Sequence, residues 1–238
     1  MDLHIVKKII SDTLNGSEES FKFLAELGLL KTEGNPFFMN EFLKAVYTEK
    51  LLNFDVQVLQ WQYDVEQIQS RGFTDNVVEL MANKIQKLPE DTQQLLKLAA
   101  CIGNQFDLKT LALSCEKSLR DTANDLYATI AYSLIVPLET REGVELALIE
   151  RESMNEPLAV SNYQLPKYKF VHDRIQQAAY SLIPEQQKQL IHRQIGQIML
   201  QNTPVDKLEE KIFDIVNQLN FGWEIISNQS ERDELALI

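Results

Sequence analysis

Two short stretches, LIVPLE at 134–139 and YKFVHD at 168–173, decide how this chain is read. Both are rich in β-branched and aromatic residues, which favour extended backbone. The segments before the first of them are helical in rhythm. PEDTQQLLKLAACIG (89–103) starts after a proline and stops at Gly103, and DLKTLALSC (107–115) and SLRDTANDLYATIAYSL (118–134) each open on a polar residue able to cap a helix. Helices followed by a two-stranded ribbon is the order of a winged helix. The sequence between the strands, 140–167, is polar, contains Pro157 and Pro166, and is too long for a tight turn, so it reads as an elaborated wing.

Working outward, TDNVVELMANKIQKL (74–88) supplies one more amphipathic helix, which places the winged-helix domain at 74–183. Upstream, 1–50 reads as three short helices. The first carries Leu3, Val6, Ile9, Ile10 and Leu14; the second follows Ser17, a natural cap with Glu18 and Glu19 in its first turn; the third follows Asn35 and Pro36, with Phe38, Phe42 and Val46 four apart. Residues 51–73 change pattern, with LLNFD and WQYD around VQVLQ, and read as a hairpin-like linker. Downstream, 184–238 holds successive amphipathic helices broken at prolines, the expected start of a TPR-like helical solenoid. The fold class expected is mainly α, with a small β wing.

Composition narrows the function. With 35 acidic against 23 basic residues the net charge is −12, which disfavours phosphate backbones and anionic lipid surfaces as partners. The helix that would read DNA, 118–132, has Arg120 as its single cation and carries Asp121 and Asp125. Neither nucleic acid nor membrane is expected as a partner. No apolar run approaches the ~20 residues that span a bilayer. Cys101 and Cys115 lie in apolar stretches without C-x-x-C spacing and read as reduced core residues, so a cytoplasmic location is expected.

Catalytic signatures are missing. No G-x-x-x-x-G-K-[ST] loop, G-x-S-x-G elbow or H-E-x-x-H motif occurs, and His4, His172 and His192 fall on three elements with no shared metal spacing. No catalytic residue and no metal site is expected. Acidic pairs such as Glu18/Glu19 and Glu209/Glu210 read as solvated helix surface.

Four stretches, KTEGNPFFMNEFLKAV (31–46), TDNVVELM (74–81), LKLAACIGNQFDL (96–108) and YKFVHDRIQQAAYSLIP (168–184), together resemble one family. They look like the STAND signal-transduction ATPases, relatives of the AAA and NB-ARC modules, found in large multidomain Ser/Thr kinase–hybrid histidine kinase proteins, especially of cyanobacteria. The resemblance runs from about Leu14 to Phe221 and covers only the C-terminal half of the nucleotide module. It implies that 1–50 is a helical lid. It also implies that Gly34 and Pro36 lie on the adenine side of a nucleotide and that His172, in a Val-His-Asp variant of the family's Met-His-Asp motif, meets the diphosphate. A proline ring at a helix start has no N–H to satisfy, and glycine permits close backbone approach, so both residue types suit that use. For His172 a second reading stays open, a histidine bonded locally to the wing. Asn35 and Asp173 read as structural caps, Asp173 with Gln176 three residues on in a capping-box-like arrangement.

The P-loop, the Mg²⁺-binding acidic strand and any arginine sensor of the family are absent from these 238 residues, so ATP or ADP is expected only in a complete module and no cofactor for this chain alone. The expected partners are a P-loop half and attached kinase domains, in cis or in trans, and proteins held by the solenoid. The apolar stripe at the start of the sequence reads as that of a fragment, a split product or a decayed copy. The rival expectation is a non-catalytic helical adaptor with no nucleotide role.

Overall fold

Residues 1–70, 77–139 and 165–222 are described by the structure, a computed structural model. The chain divides into two compact units, 1–83 and 84–238. Helix predominates in both, as the sequence rhythm predicts.

In the first unit, α1 (Leu3–Leu14), α2 (Lys22–Thr32) and α3 (Pro36–Thr48) precede the strands β1 (Leu52–Asp55) and β2 (Gln60–Tyr63) and a short helix α4 (Val65–Ser70). Helix α5 (Val77–Gln86) follows and crosses the division between the units. Val6, Ile10 and Leu14 of α1 recur every four residues, as do Phe38, Phe42 and Val46 of α3, so each helix turns one apolar stripe inward. Val6, Ile10, Leu14, Phe42 and Val46 of these stripes, Leu24 and Ala25 of α2, and Leu51, Leu52 and Ile68 form one core. Helix α2 starts later than expected. Ser17 accepts the Ser20 N–H at 3.1 Å and so closes a local turn, Phe21 is buried, and the helix begins at Lys22. Within the expected 51–73 linker, 52–63 is a β-hairpin, with Leu52 opposite Tyr63 and Phe54 opposite Trp61; 71–73 lie outside the described residues. Helix α4 was not legible within it; Asp64 starts it by accepting the Gln67 N–H at 2.9 Å.

The second unit runs α6 (Glu90–Ile102), β3 (Gln105–Asp107), α7 (Leu108–Ser114), α8 (Leu119–Ala131), β4 (Ile135–Pro137), β5 (Lys167–Phe170) and α9 (Asp173–Ser181). A hairpin of α10 (Glu185–Asn202), a 3₁₀ turn (Val205–Lys207) and α11 (Leu208–Phe221) completes it. Thr92, Leu95, Leu96, Ala99 and Ala100 of α6 are buried at i, i+3, i+4, i+7 and i+8, which makes α6 the central helix. Strands β3, β5 and β4 form an antiparallel sheet in that order, with Phe106 opposite Tyr168 and Ile135 opposite Phe170. Helix, strand, two helices and two strands, with the last strand central, is winged-helix topology.

Along β5 the alternation is clean: Lys167 and Lys169 face solvent while Tyr168 and Phe170 are buried. Burial of the Phe170 side chain contributes about 2–3 kcal/mol. Phe106 joins them, stacked on Tyr168 at 6.1 Å and edge-on to Phe170 at 6.0 Å between ring centroids. Strand β3 was not anticipated, because three residues are too few to display a period of two. Most of the expected wing, 140–164, lies outside the described residues; the expected span also overruns, since Lys167 already belongs to β5.

In α10 and α11 the chain folds back on itself: Gly196 faces Leu219, and Gly222 faces Arg193 and Gln189, so the helices are antiparallel. A Cβ on Gly196 would meet Leu219 Cδ2 at 2.7 Å, which explains a small residue at that point of α10. The rest of the expected solenoid, 223–238, lies outside the described residues.

Candidate nucleotide-facing site

Gly34, Asn35 and Pro36 sit together where α2 hands over to α3. Glu33 and Gly34 both have positive φ, 50° and 72°, and this left-handed pair reverses the chain between the helices. Asn35 is the N-cap: its Oδ1 accepts the Phe37 N–H at 2.9 Å and the Phe38 N–H at 3.4 Å. Pro36 occupies the first helical position, where a missing N–H costs nothing, and its ring is exposed. Gly34 is buried. Its close neighbour is the backbone of Met1, whose ammonium donates to the Gly34 carbonyl at 2.7 Å, and a Cβ at Gly34 would collide with the Met1 carbonyl oxygen. At Gly34 the backbone is thus approached closely by Met1.

His172 and Asp173 lie in the second unit, between β5 and α9. The backbone of His172 is still extended (φ −151°, ψ 146°), so His172 and not Asp173 is the N-cap of α9. This corrects the expected cap by one residue: β5 ends at Phe170, His172 is still extended, and helical backbone begins at Asp173. Nor does Gln176 reach back to form a capping box. It donates instead to the carbonyl of Ala100 at 3.0 Å, where the C-terminus of α6 offers an unpaired acceptor.

The Arg174 N–H is shared between His172 Nδ1 (3.2 Å) and Asp173 Oδ1 (2.9 Å), and His172 Nδ1 also lies against Asp173 Oδ1. These contacts at the helix start fix the ring, and the side chain is 33% exposed. Gly34 and Pro36 on one hand, and His172 on the other, belong to different units, each with its own local geometry.

Sequence reasoning missed a second polar cluster. His192, buried at 5% exposure, bonds through Nδ1 to Gln218 Oε1 at 2.6 Å and through Nε2 to the Tyr180 hydroxyl at 2.9 Å. Gln218 Nε2 donates to the carbonyls of Cys101 (2.8 Å) and Ile102 (3.2 Å), so its oxygen faces His192 and Nδ1 carries the proton. His192 Nε2 then accepts from Tyr180. Burial pushes the His192 pKa below its ordinary value; the Gln218 hydrogen bond opposes this and the Lys188 charge adds to it. Phe221 stacks on the imidazole at 4.6 Å. The cluster pins the α10–α11 hairpin to the end of α6. Its sequence signal was a histidine three residues before buried Ile195 and a glutamine three residues after buried Ile215, each on an otherwise apolar stripe.

Among the described residues no group of His, Cys, Asp or Glu could hold a metal ion, and no helix is long and apolar enough to cross a membrane. Cys101 is buried, and burial raises its thiol to about 12. Cys115 is raised to about 11 for the same reason. Neither is a nucleophile at neutral pH. A groove between α6, α7 and α10, lined by Leu98, Leu113, Ile191, Ile195 and Ile198, encloses about 190 Å³. That is below the roughly 300 Å³ at which small-molecule sites begin, too little to house a nucleotide.

No protein-family model matches the chain, and no solved structure matches it significantly. One curated protein does: over 263 aligned residues the chain is 34% identical to Hybrid signal transduction histidine kinase G of Dictyostelium discoideum. The alignment takes in 99% of this chain and 8% of that kinase, so the chain spans less than a tenth of its relative's length.

Proposed function

We propose that this chain is a regulatory segment of a multidomain signalling protein: the lid and winged-helix portion of a STAND-type ATPase. It closes over ADP or ATP held mainly by a P-loop region outside these residues and relays the nucleotide state to attached kinase modules. The observation that carries the signalling part is the alignment of nearly the whole chain with a small stretch of a much longer signal transduction histidine kinase. The nucleotide part rests on the resemblance at 31–46 and 168–184 and on the two helix starts that carry it.

Both starts have suitable chemistry. The exposed Pro36 ring is a rigid apolar surface at the head of α3, and His172 stands at a strand end with its ring oriented by α9. An imidazole N–H can donate to a phosphate oxygen, and that bond is stronger when the ring carries a charge. A switch of this kind works only if ADP and ATP contact the lid and winged helix differently, since equal affinities shift no equilibrium.

The test is the release rate of a fluorescent ADP analogue from the full-length polypeptide that contains these residues. His172→Ala is expected to speed release about tenfold, the equivalent of one charge-assisted hydrogen bond of about 1.4 kcal/mol. Pro36→Ala is expected to speed it less. Unchanged rates in both variants overturn the nucleotide reading and leave a helical adaptor.

A further inference from the structure

The β1–β2 ribbon carries an apolar face that begins in the core and ends in solvent. Leu52 and Tyr63 pair at its base, where Leu52 is buried and Tyr63 packs on the core; Phe54 and Trp61 pair further out. Beyond them the turn presents Val56 and Leu59, 75% and 71% exposed, with Val58 beside them. Tyr47 of α3, itself exposed, stands edge-on to Trp61 at 5.8 Å, and Phe54 does the same at 5.4 Å. Rigid aromatic rings followed by bare aliphatic side chains are the composition of a contact surface more than of a connecting loop.

The turn is also built to hold that shape. Asp55 Oδ1 accepts the N–H groups of Gln57 (2.8 Å) and Val58 (3.4 Å), and Asp55 Oδ2 accepts from Gln62 at 3.2 Å. Leu59 sits at φ +52°, a left-handed conformation that glycine or asparagine takes far more readily. The chain therefore displays a large apolar side chain at a backbone position that disfavours it.

Charge selects the partner. From Tyr47 to Glu66 the sequence has Glu49, Asp55, Asp64 and Glu66 against Lys50, within a chain of net charge −12. A second copy and an anionic lipid surface are both repelled by this field. We infer that the β1–β2 ribbon is a docking finger for a basic, partly apolar segment of a partner protein, with arginine or lysine side chains over the exposed Tyr47 and Phe54 rings that flank the half-buried Trp61, and apolar side chains against Val56, Val58 and Leu59. Cations are drawn to such rings, and arginine stacks on them best.

The probe is a fluorescein-labelled peptide, acetyl-Arg-Leu-Arg-Leu-Arg, titrated with the 238-residue chain and followed by anisotropy, beside the same peptide with glutamate in place of arginine. Saturable binding of the basic peptide is expected, at least tenfold tighter than the acidic one and weakened as salt rises. Leu59→Asn suits the left-handed turn, so it is expected to leave the melting temperature unchanged or higher while weakening the basic peptide at least fivefold; Phe54→Ala should weaken it similarly. No saturable binding, equal binding of both peptides, or full binding by Leu59→Asn overturns the proposal.

Discussion

Replacing Gln218 with leucine tests the buried cluster directly. The side chain is buried and makes three hydrogen bonds, to His192 Nδ1 and to the carbonyls of Cys101 and Ile102. Leucine fills a similar volume and leaves the His192 N–H and the end of α6 without these partners. An abandoned buried polar group costs about 1–3 kcal/mol, so the two in buried residues, the His192 N–H and the Cys101 carbonyl, offset in part by the gain from an apolar side chain, give a loss of about 2–4 kcal/mol. His192→Leu alone strands the Gln218 oxygen and should cost a similar amount. The double variant removes both ends of the shortest bond together, so it is expected to cost about 1–2 kcal/mol less than the sum of the singles. Because the chain has two units that need not unfold together, hydrogen exchange read on peptides from α10 and α11 is the proper assay, with urea unfolding as a check. Single costs below about 0.5 kcal/mol, or costs that add within that margin, refute the idea that this network holds the hairpin in place.

Two more predictions follow from the same region. His192 has its pKa lowered by burial, so the unfolded chain takes up a proton near the ordinary value of 6.5 while the folded chain resists it. The stability this contributes is complete above that value and is lost as pH falls below it; the loss between pH 7 and 5 should exceed that of His192→Gln, and identical profiles would exclude the linkage. Cys101 and Cys115, raised by burial to about 12 and about 11, should react with a thiol reagent at neutral pH far more slowly than free cysteine and at full rate in denaturant. Fast labelling of the native chain would contradict their burial.

Much of the fold was readable because it rests on repeating local signals. The four-residue spacing of Phe38, Phe42 and Val46, the Asn35-Pro36 start and the Gly103 stop each specify a helix end or face without help from the rest of the chain. The ribbon strands were legible from their composition. What escaped depends on tertiary context. Strand β3 exists because β5 offers it a partner; Gln176 turns to Ala100 because the end of α6 needs donors; His172 becomes the cap because its backbone, leaving β5, is still extended. The His192 cluster escaped for the same reason, since Gln218 and Cys101 meet across 117 positions. Of the site, the helix starts at Pro36 and His172 were found where expected, although the cap at the second was placed one residue late.

The end of α6 sets a timetable for synthesis. Its last carbonyls, at Ala100, Cys101 and Ile102, receive Gln176 and Gln218, which stand 76 residues beyond Ala100 and 117 beyond Cys101. At roughly 5–20 residues per second, a ribosome needs on the order of 4–15 s after making Ala100 to supply the first glutamine, and on the order of 6–23 s after making Cys101 to supply the second. During that interval the winged helix can assemble around α6 only with one helix end open to water or to a chaperone. A nascent chain stalled between α9 and Gln218 would have its wing strands and the Gln176 bond to Ala100 but not the Gln218 bonds to Cys101 and Ile102, and is the stage at which quality control has most to recognise.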